Sequence, residues 1–319
     1  MTDASDNTAM EEFHDANGIF GFSHLYPSET AYIHFTRHHG FLAAVNVLLQ
    51  FASYTLIHRG HFFVDYGRPP FDWAETFDTP TLDFDANRQA LYPRRLSLMK
   101  KWDKELWRAM RDSLRQAARD GLIYDLPEIG FKGDLESLVA KLSRALFNPV
   151  KEVRAAVSAA GRELGLDEEP YGAFHVRRGD KVGGYIGDRG KFSIEGEFVS
   201  LDAYVNRLRA MAPTVSKVFL MTDDYSAFEE ATAKFPELKF VTLCSPSVRG
   251  FDQTEHNASD AQQQLQNRRD VVRDIAIARD AAAFVGVFRS NVSCFIHLLR
   301  GQGYERSASV DSAQRWNFI

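Results

Sequence analysis

The strongest constraint on the fold lies in the second half of the chain, where short apolar runs alternate with helical stretches. Residues 171–176 (YGAFHV), 217–221 (KVFLM), 239–243 (KFVTL) and 283–288 (AFVGVF) read as strands. Residues 201–211, 226–235, 260–279 and 291–300 read as the helices that follow them. Four strands alternating with four helices make a doubly wound parallel sheet. Such a sheet takes its ligands at the carboxyl ends of its strands.

The first half opens in the same grammar. Residues 31–36 read as a strand, 42–56 as a strongly apolar helix and 61–65 as a second strand, which together make a βαβ unit. A stretch rich in Pro, Asp and Phe over 66–90 reads as a long surface loop. Helical blocks are expected over 94–119 and 134–164, and residues 1–28 read as a polar lead-in. A chain of 319 residues is long enough for two domains. The boundary is expected near Asp167-Glu168-Glu169-Pro170. That gives an N-terminal α/β domain over 1–168 and a C-terminal Rossmann-like domain over 169–319. A cleft between two α/β halves is the expected ligand site.

Composition excludes some classes. A net charge of −5 argues against a general nucleic-acid binder, while leaving room for a local basic pocket. The two cysteines, Cys244 and Cys294, lie in no CxxC or Cys/His cluster, which argues against a zinc site. The acidic N-terminus lacks the basic and apolar regions of a signal peptide, and no run of about 18 apolar residues exists. No transmembrane segment is therefore expected in this chain. It reads as soluble: cytoplasmic if the chain is complete, from the Golgi lumen if an anchor has been removed.

Three segments carry chemistry. The first is His175-Val-Arg177-Arg178-Gly-Asp180-Lys181, just past a strand. Arginine forks match phosphate oxygens and lysine adds a point charge, while Asp180 can pair with an arginine and fix its rotamer. A solvated turn is the bland reading of the same residues. The second is Thr222-Asp223-Asp224, also at a strand's end. Its carboxylates suit a metal, a ribose hydroxyl or a guanine edge, or Asp223 simply caps the next helix. The third combines Asp274 with the loop Phe288-Arg289-Ser290-Asn291, whose helix N-terminus is a ready anion site. There too Ser290 as an ordinary N-cap is the bland alternative.

Taken in order, these segments resemble the α1,6-fucosyltransferases, the core-fucosylating and nodulation-factor enzymes, and more distantly the protein O-fucosyltransferases. The resemblance rests on residues 171–182 (YGAFHVRRGDKV), Phe147-Asn148-Pro149, Leu220-Met-Thr-Asp223-Asp224, Lys234-Phe235-Pro236, Asp270 to Ile275, Phe284 to Ser290, and Ser309-Val-Asp311. In the N-terminal half it is loose, around His39-Gly40-Phe41 on the acceptor or cleft side.

The resemblance implies a GT-B-like fold, with two facing Rossmann-like α/β domains and the donor cleft between them. It implies inverting, metal-independent transfer of fucose from GDP-β-L-fucose to a hydroxyl of a glycan or peptide. No cofactor is implied beyond that donor, and the partners are the nucleotide sugar and a glycan or glycopeptide acceptor. Arg177 is then expected at the β-phosphate with Arg178, Asp180 and Lys181 beside it, and Arg177 and Lys181 also act in catalysis. His175 and Asp274 are expected at the guanine end, with Asp223, Asp224 and Ser290 around the donor.

Two departures stand out. Arg289 occupies the first place of a serine pair, and the loop after Lys181 is longer than in the family. Counting back from Tyr204 places the general base at Glu195, with Glu197 and Asp188 behind it, whereas counting forward from Lys181 reaches Tyr185. The glycines of that loop suit a segment that closes over the acceptor. The alternatives are a transferase using another nucleotide sugar and a non-catalytic nucleotide-binding protein on the same fold.

Overall fold

The computed structural model describes residues 30–34, 41–58, 61–65, 75–78, 100–101, 104–179, 185–186, 192–193, 198–251, 258–301 and 303–311. The chain forms two compact units that divide between Val150 and Lys151.

In the first unit, strand β1 (Thr30–His34) leads through helix α1 (Phe41–Ile57) to β2 (His61–Asp65), which pairs parallel to β1. This is the βαβ unit expected from the sequence. Helix α1 is apolar nearly all round and is correspondingly buried: Val45, Leu48, Leu49 and Ala52 have no exposure. It packs against helices α2 (Lys104–Arg119) and α3 (Leu135–Leu146).

Two expected helical blocks need correction. Within 94–119, Lys100–Lys101 form a short edge strand, β3, on β1, and the helix begins only at Lys104. Pairing with a distant strand overrides local helical pattern there. Block 134–164 is two helices. Asp134 caps the first by accepting from the Ser137 N–H at 2.9 Å. That helix ends at Leu146, and α4 (Lys151–Glu163) starts after Phe147-Asn148-Pro149-Val150. Pro149 has no N–H and disfavours helical backbone at Asn148. The freed groups pair elsewhere: Val150 N–H donates to Thr76 O and Asp78 N–H to Asn148 O, at 3.0 and 2.7 Å. A hairpin outside the expected elements, β4 (Ile123–Leu126) with β5 (Phe131–Asp134), precedes α3.

The second unit holds a five-stranded parallel sheet. Its strands are β6 (Tyr171–Val176), β9 (Lys217–Thr222), β10 (Lys239–Val241), β11 (Ala283–Gly286) and β12 (Ser307–Ser309), in the order β10-β9-β6-β11-β12. Two-residue strands β7 (Tyr185–Ile186) and β8 (Phe192–Ser193) form a separate antiparallel pair. The helices are α5 (Leu201–Met211), α6 (Ser226–Lys234), α7 (Ala261–Asp280) and α8 (Asn291–Arg300). The alternation read from the sequence is therefore present, with β12 added at one edge.

Helix α5 buries Leu201, Tyr204, Val205 and Leu208, an i, i+3, i+4, i+7 stripe, against Phe174, Val176, Val218 and Leu220. Helix α7 contacts β6, β9, α4 and α8. Thus α4, which lies before the boundary expected near Asp167, belongs to the second unit. Among the described residues, no helix is long and apolar enough to cross a membrane.

Candidate functional site

Winding runs from β6 outward through β9 to β10, then returns to β11 and runs outward through β12. The reversal lies between β6 and β11, and a parallel sheet binds ligands beyond its carboxyl ends at such a point. His175 on β6 is in register with Met221 on β9 and Gly286 on β11. Three loops therefore leave the sheet side by side, and each carries residues singled out from the sequence.

The β6 loop is held by one carboxylate. Asp223 Oδ1 accepts from the Arg178 N–H at 2.7 Å. Its Oδ2 accepts from the Gly179 N–H at 2.9 Å and from Arg177 Nη1 at 2.5 Å. Asp223 is thus committed to fixing three consecutive residues. It does not cap α6. Asp224 takes the start of that helix, accepting from the Ser226 N–H at 2.8 Å.

A glycine is required at 179. A Cβ there would lie 2.4 Å from the Phe251 nitrogen and 2.6 Å from Asp223 Oδ2. The 248–251 segment closes this side: the Gly250 N–H donates to Asp223 O at 3.0 Å, and the Phe251 ring lies 5.2 Å from the Arg177 guanidinium. Arg178 is tied down as well. Its Nη2 donates to Glu230 at 2.8 Å and its guanidinium lies 4.2 Å over the Phe198 ring. The cationic cluster read from the sequence therefore has both arginines compensated, Arg177 by Asp223 and Arg178 by Glu230.

His175 is buried, and Nδ1 shares a 2.6 Å hydrogen bond with Ser293 Oγ in the first turn of α8. Burial lowers its pKa to about 4, helped by the Arg177 charge and opposed by Asp223, so the imidazole is neutral. Tyr204 Oη donates to its carbonyl at 3.2 Å. Asp274 on α7 accepts from Arg273 Nε at 2.8 Å. Burial lifts its carboxyl to about 6 against the pull of Arg273. The Cys244 thiol, just past β10, is pushed up to about 11 by burial and then by Asp223, Asp224 and Asp274. Those three carboxylates therefore share one neighbourhood.

The β11 loop mirrors the β6 loop. Asp311, two residues past β12, accepts from the Phe288 N–H at 2.7 Å and the Arg289 N–H at 3.1 Å. Ser290 is the N-cap residue of α8, but its side chain makes no cap bond. Gly286 allows the first turn of α8 to approach, since a Cβ there would sit 2.5 Å from Ser293 Oγ.

Asp180, Lys181, Asp188, Glu195, Glu197, His39 and Gly40 lie outside the described residues, as does the side chain of Tyr185. Phe41 begins α1 in the first unit, and its ring stacks on Phe77 at 5.9 Å. Sequence reasoning did not single out Glu230, Phe198, Ser293 or Phe251. It noted Asp311 only within a matching block. Asp311, like Asp223, is a carboxylate just past a strand, but that strand, β12, is not among those read from the sequence. Among the described residues no group of three or more His, Cys, Asp or Glu could hold a metal ion.

No family model matches the chain. Over 104 residues it is 31% identical to an alpha-(1,6)-fucosyltransferase of Drosophila melanogaster, a stretch that covers 32% of this chain and 16% of that relative. The chain thus spans about a sixth of that relative's length. A solved structure of a NodZ alpha-1,6-fucosyltransferase soaked with GDP-fucose superposes with a TM-score of 0.50 at 17% identity. That match covers 86% of this chain and 93% of the other. The chain therefore resembles the fucosyltransferases in fold over most of its length and an α-(1,6)-fucosyltransferase in sequence over a third of it, the family to which its motifs pointed.

Proposed function

We propose that the chain is a glycosyltransferase that moves fucose from GDP-β-L-fucose to a hydroxyl of a glycan or peptide acceptor. The observation that carries this reading is the arginine-bearing β6 loop, pinned by Asp223 at the winding reversal of a parallel sheet. The second unit then binds the donor, and the first unit serves the acceptor.

When the glycosidic bond breaks, negative charge grows on the β-phosphate of departing GDP. A guanidinium whose orientation is set beforehand stabilises that charge without reorganising during the reaction. Arg177 takes this role because Asp223 fixes its rotamer, with Lys181 beside it. Arg178, whose guanidinium is drawn to Glu230 and over the Phe198 ring, acts through the loop. Cations on the protein can carry this charge without a divalent ion, so the transfer is metal-independent. Direct attack by the acceptor inverts the anomeric centre and needs one base on the acceptor hydroxyl. Glu195 is assigned that role, with Glu197 and Asp188 as the alternatives. Asp274, kept ionised at neutral pH, receives the guanine N–H donors, and Asp224 borders the donor.

Titration calorimetry with GDP tests the donor, and no heat at millimolar GDP sinks the reading. Arg177→Ala is expected to abolish transfer from GDP-fucose while the protein still melts cooperatively. Arg289 in place of a serine keeps a second reading in view, a nucleotide-binding protein without transfer. GDP binding with neither donor hydrolysis nor transfer selects it.

A further inference from the structure

The arginines at the winding reversal differ in how their charge is met. Arg177 and Arg178 each face a carboxylate. Arg289 is exposed and makes no ion pair among the described residues. Its backbone is nevertheless tightly held. Asp311 Oδ2 accepts the Arg289 N–H, and Oδ1 accepts the Phe288 N–H. The Ser309 hydroxyl donates to Oδ1 at 2.7 Å and so sets the carboxylate's own orientation.

The loop is also fixed from below. Cys294 Sγ contacts Phe288 O at 2.8 Å, and Ser293 reaches across to His175 at the end of β6. The two loops are thus built alike. In each, an aspartate just past the outer strand clamps two consecutive backbone N–H groups of the neighbouring inner strand's loop, and one of the two belongs to an arginine, Arg178 or Arg289. Only the β11 loop leaves its arginine's charge unspent. Ser290, with no cap bond to make, stands beside it.

We infer that Asp311 is a positioning residue that aims Arg289 at the donor's phosphates. This rests on the reading of the second unit as a GDP-sugar site. Electrostatics sharpens the claim. A carboxylate near an anion repels it, so removing the charge of Asp311 would by itself tighten GDP binding. Weakened binding reports lost positioning instead. Asp311→Asn is nearly isosteric: its remaining oxygen can keep the Phe288 and Ser309 bonds, while its amide cannot accept from the Arg289 N–H.

The test is calorimetry with GDP and ligand-observed NMR with guanosine, which has the base and ribose but no phosphate. The proteins are the wild type, Asp311→Asn, Arg289→Gln and the double variant. Arg289→Gln is expected to weaken GDP about tenfold and Asp311→Asn about fivefold, the range of one charge-assisted contact and one ordinary one. Guanosine binding stays unchanged in both, and the double variant is no weaker than Arg289→Gln. Because Arg289 is exposed, Arg289→Gln keeps the test open if Asp311→Asn melts early. An unchanged or tighter GDP constant for Asp311→Asn overturns the proposal, as do equal losses for GDP and guanosine, or additive effects in the double variant. If the wild type fails to bind GDP, the donor reading falls and this proposal with it.

Discussion

The loops after β6 and β11 leave the same sheet side by side, yet they use charge in opposite ways. In the β6 loop an aspartate accepts from two backbone N–H groups and also neutralises the arginine that precedes them. In the β11 loop an aspartate accepts from two backbone N–H groups, and the arginine's charge faces outward. The first is a closed knot in which charge mainly sets shape. The second is a rigid mount for an exposed cation. An arginine-rich segment is therefore not automatically a strong field, because partners decide how much charge reaches a ligand.

The largest effect should come from Arg177→Ala, a loss of roughly 10³ in transfer rate, about 4 kcal/mol, with the melting transition retained. Full activity would place the transfer chemistry elsewhere. Next is Asp223→Ala. It removes the acceptor of two loop N–H groups and of Arg177 Nη1, and about 3 kcal/mol of stability should vanish in a denaturant titration. A loss below about 1 kcal/mol would show that the β6 knot is not what holds this end of the sheet.

Gly179→Ala should cost about 2 kcal/mol, because the new methyl must displace the backbone at Phe251 rather than a pliant side chain. Asp274 gives a pH test. Burial lifts its carboxyl to about 6, and the guanine contact proposed for it needs the ionised form. GDP affinity is then nearly full from about one pH unit above 6, is halved at 6 and is roughly tenfold lower one unit below it. Asp274→Asn should bind weakly at all pH values with a flat profile. A wild-type affinity that is level through that window would remove Asp274 from the guanine end. Smallest of all, Arg289→Ala should change stability by less than about 0.5 kcal/mol, as expected of an exposed side chain with no ion pair among the described residues. A larger loss would make the β11 loop a second knot and erase the contrast.

Much of this was legible in the sequence. The apolar runs at 171–176, 217–221 and 283–288 specified strands because residues buried on both faces leave a continuous signal. The stripe Leu201, Tyr204, Val205, Leu208 fits a helix, because burying one face leaves apolar residues at i, i+3, i+4 and i+7. The rule that ligands gather past strand ends selected Arg177 and Asp223, and the anion-binding character of a helix N-terminus selected Ser290. Elements of two or three residues were not legible. β3 and β12 exist because a distant strand offers hydrogen bonds, and local periodicity holds no record of that.

What only the tertiary structure decided is pairing. From the sequence, Asp223 and Asp224 were interchangeable neighbours. Their side chains leave the chain in different directions, so one holds the β6 loop and the other starts α6. In the sequence Arg178 stands beside Arg177 with nothing to tell the two apart, and in the fold Glu230, 52 residues away, accepts from Arg178. The sequence determined which chemistry the sheet's edge could host. Packing between residues far apart in the chain determined how each of those charges is met and held, since the partner that pairs with a side chain also sets where it points.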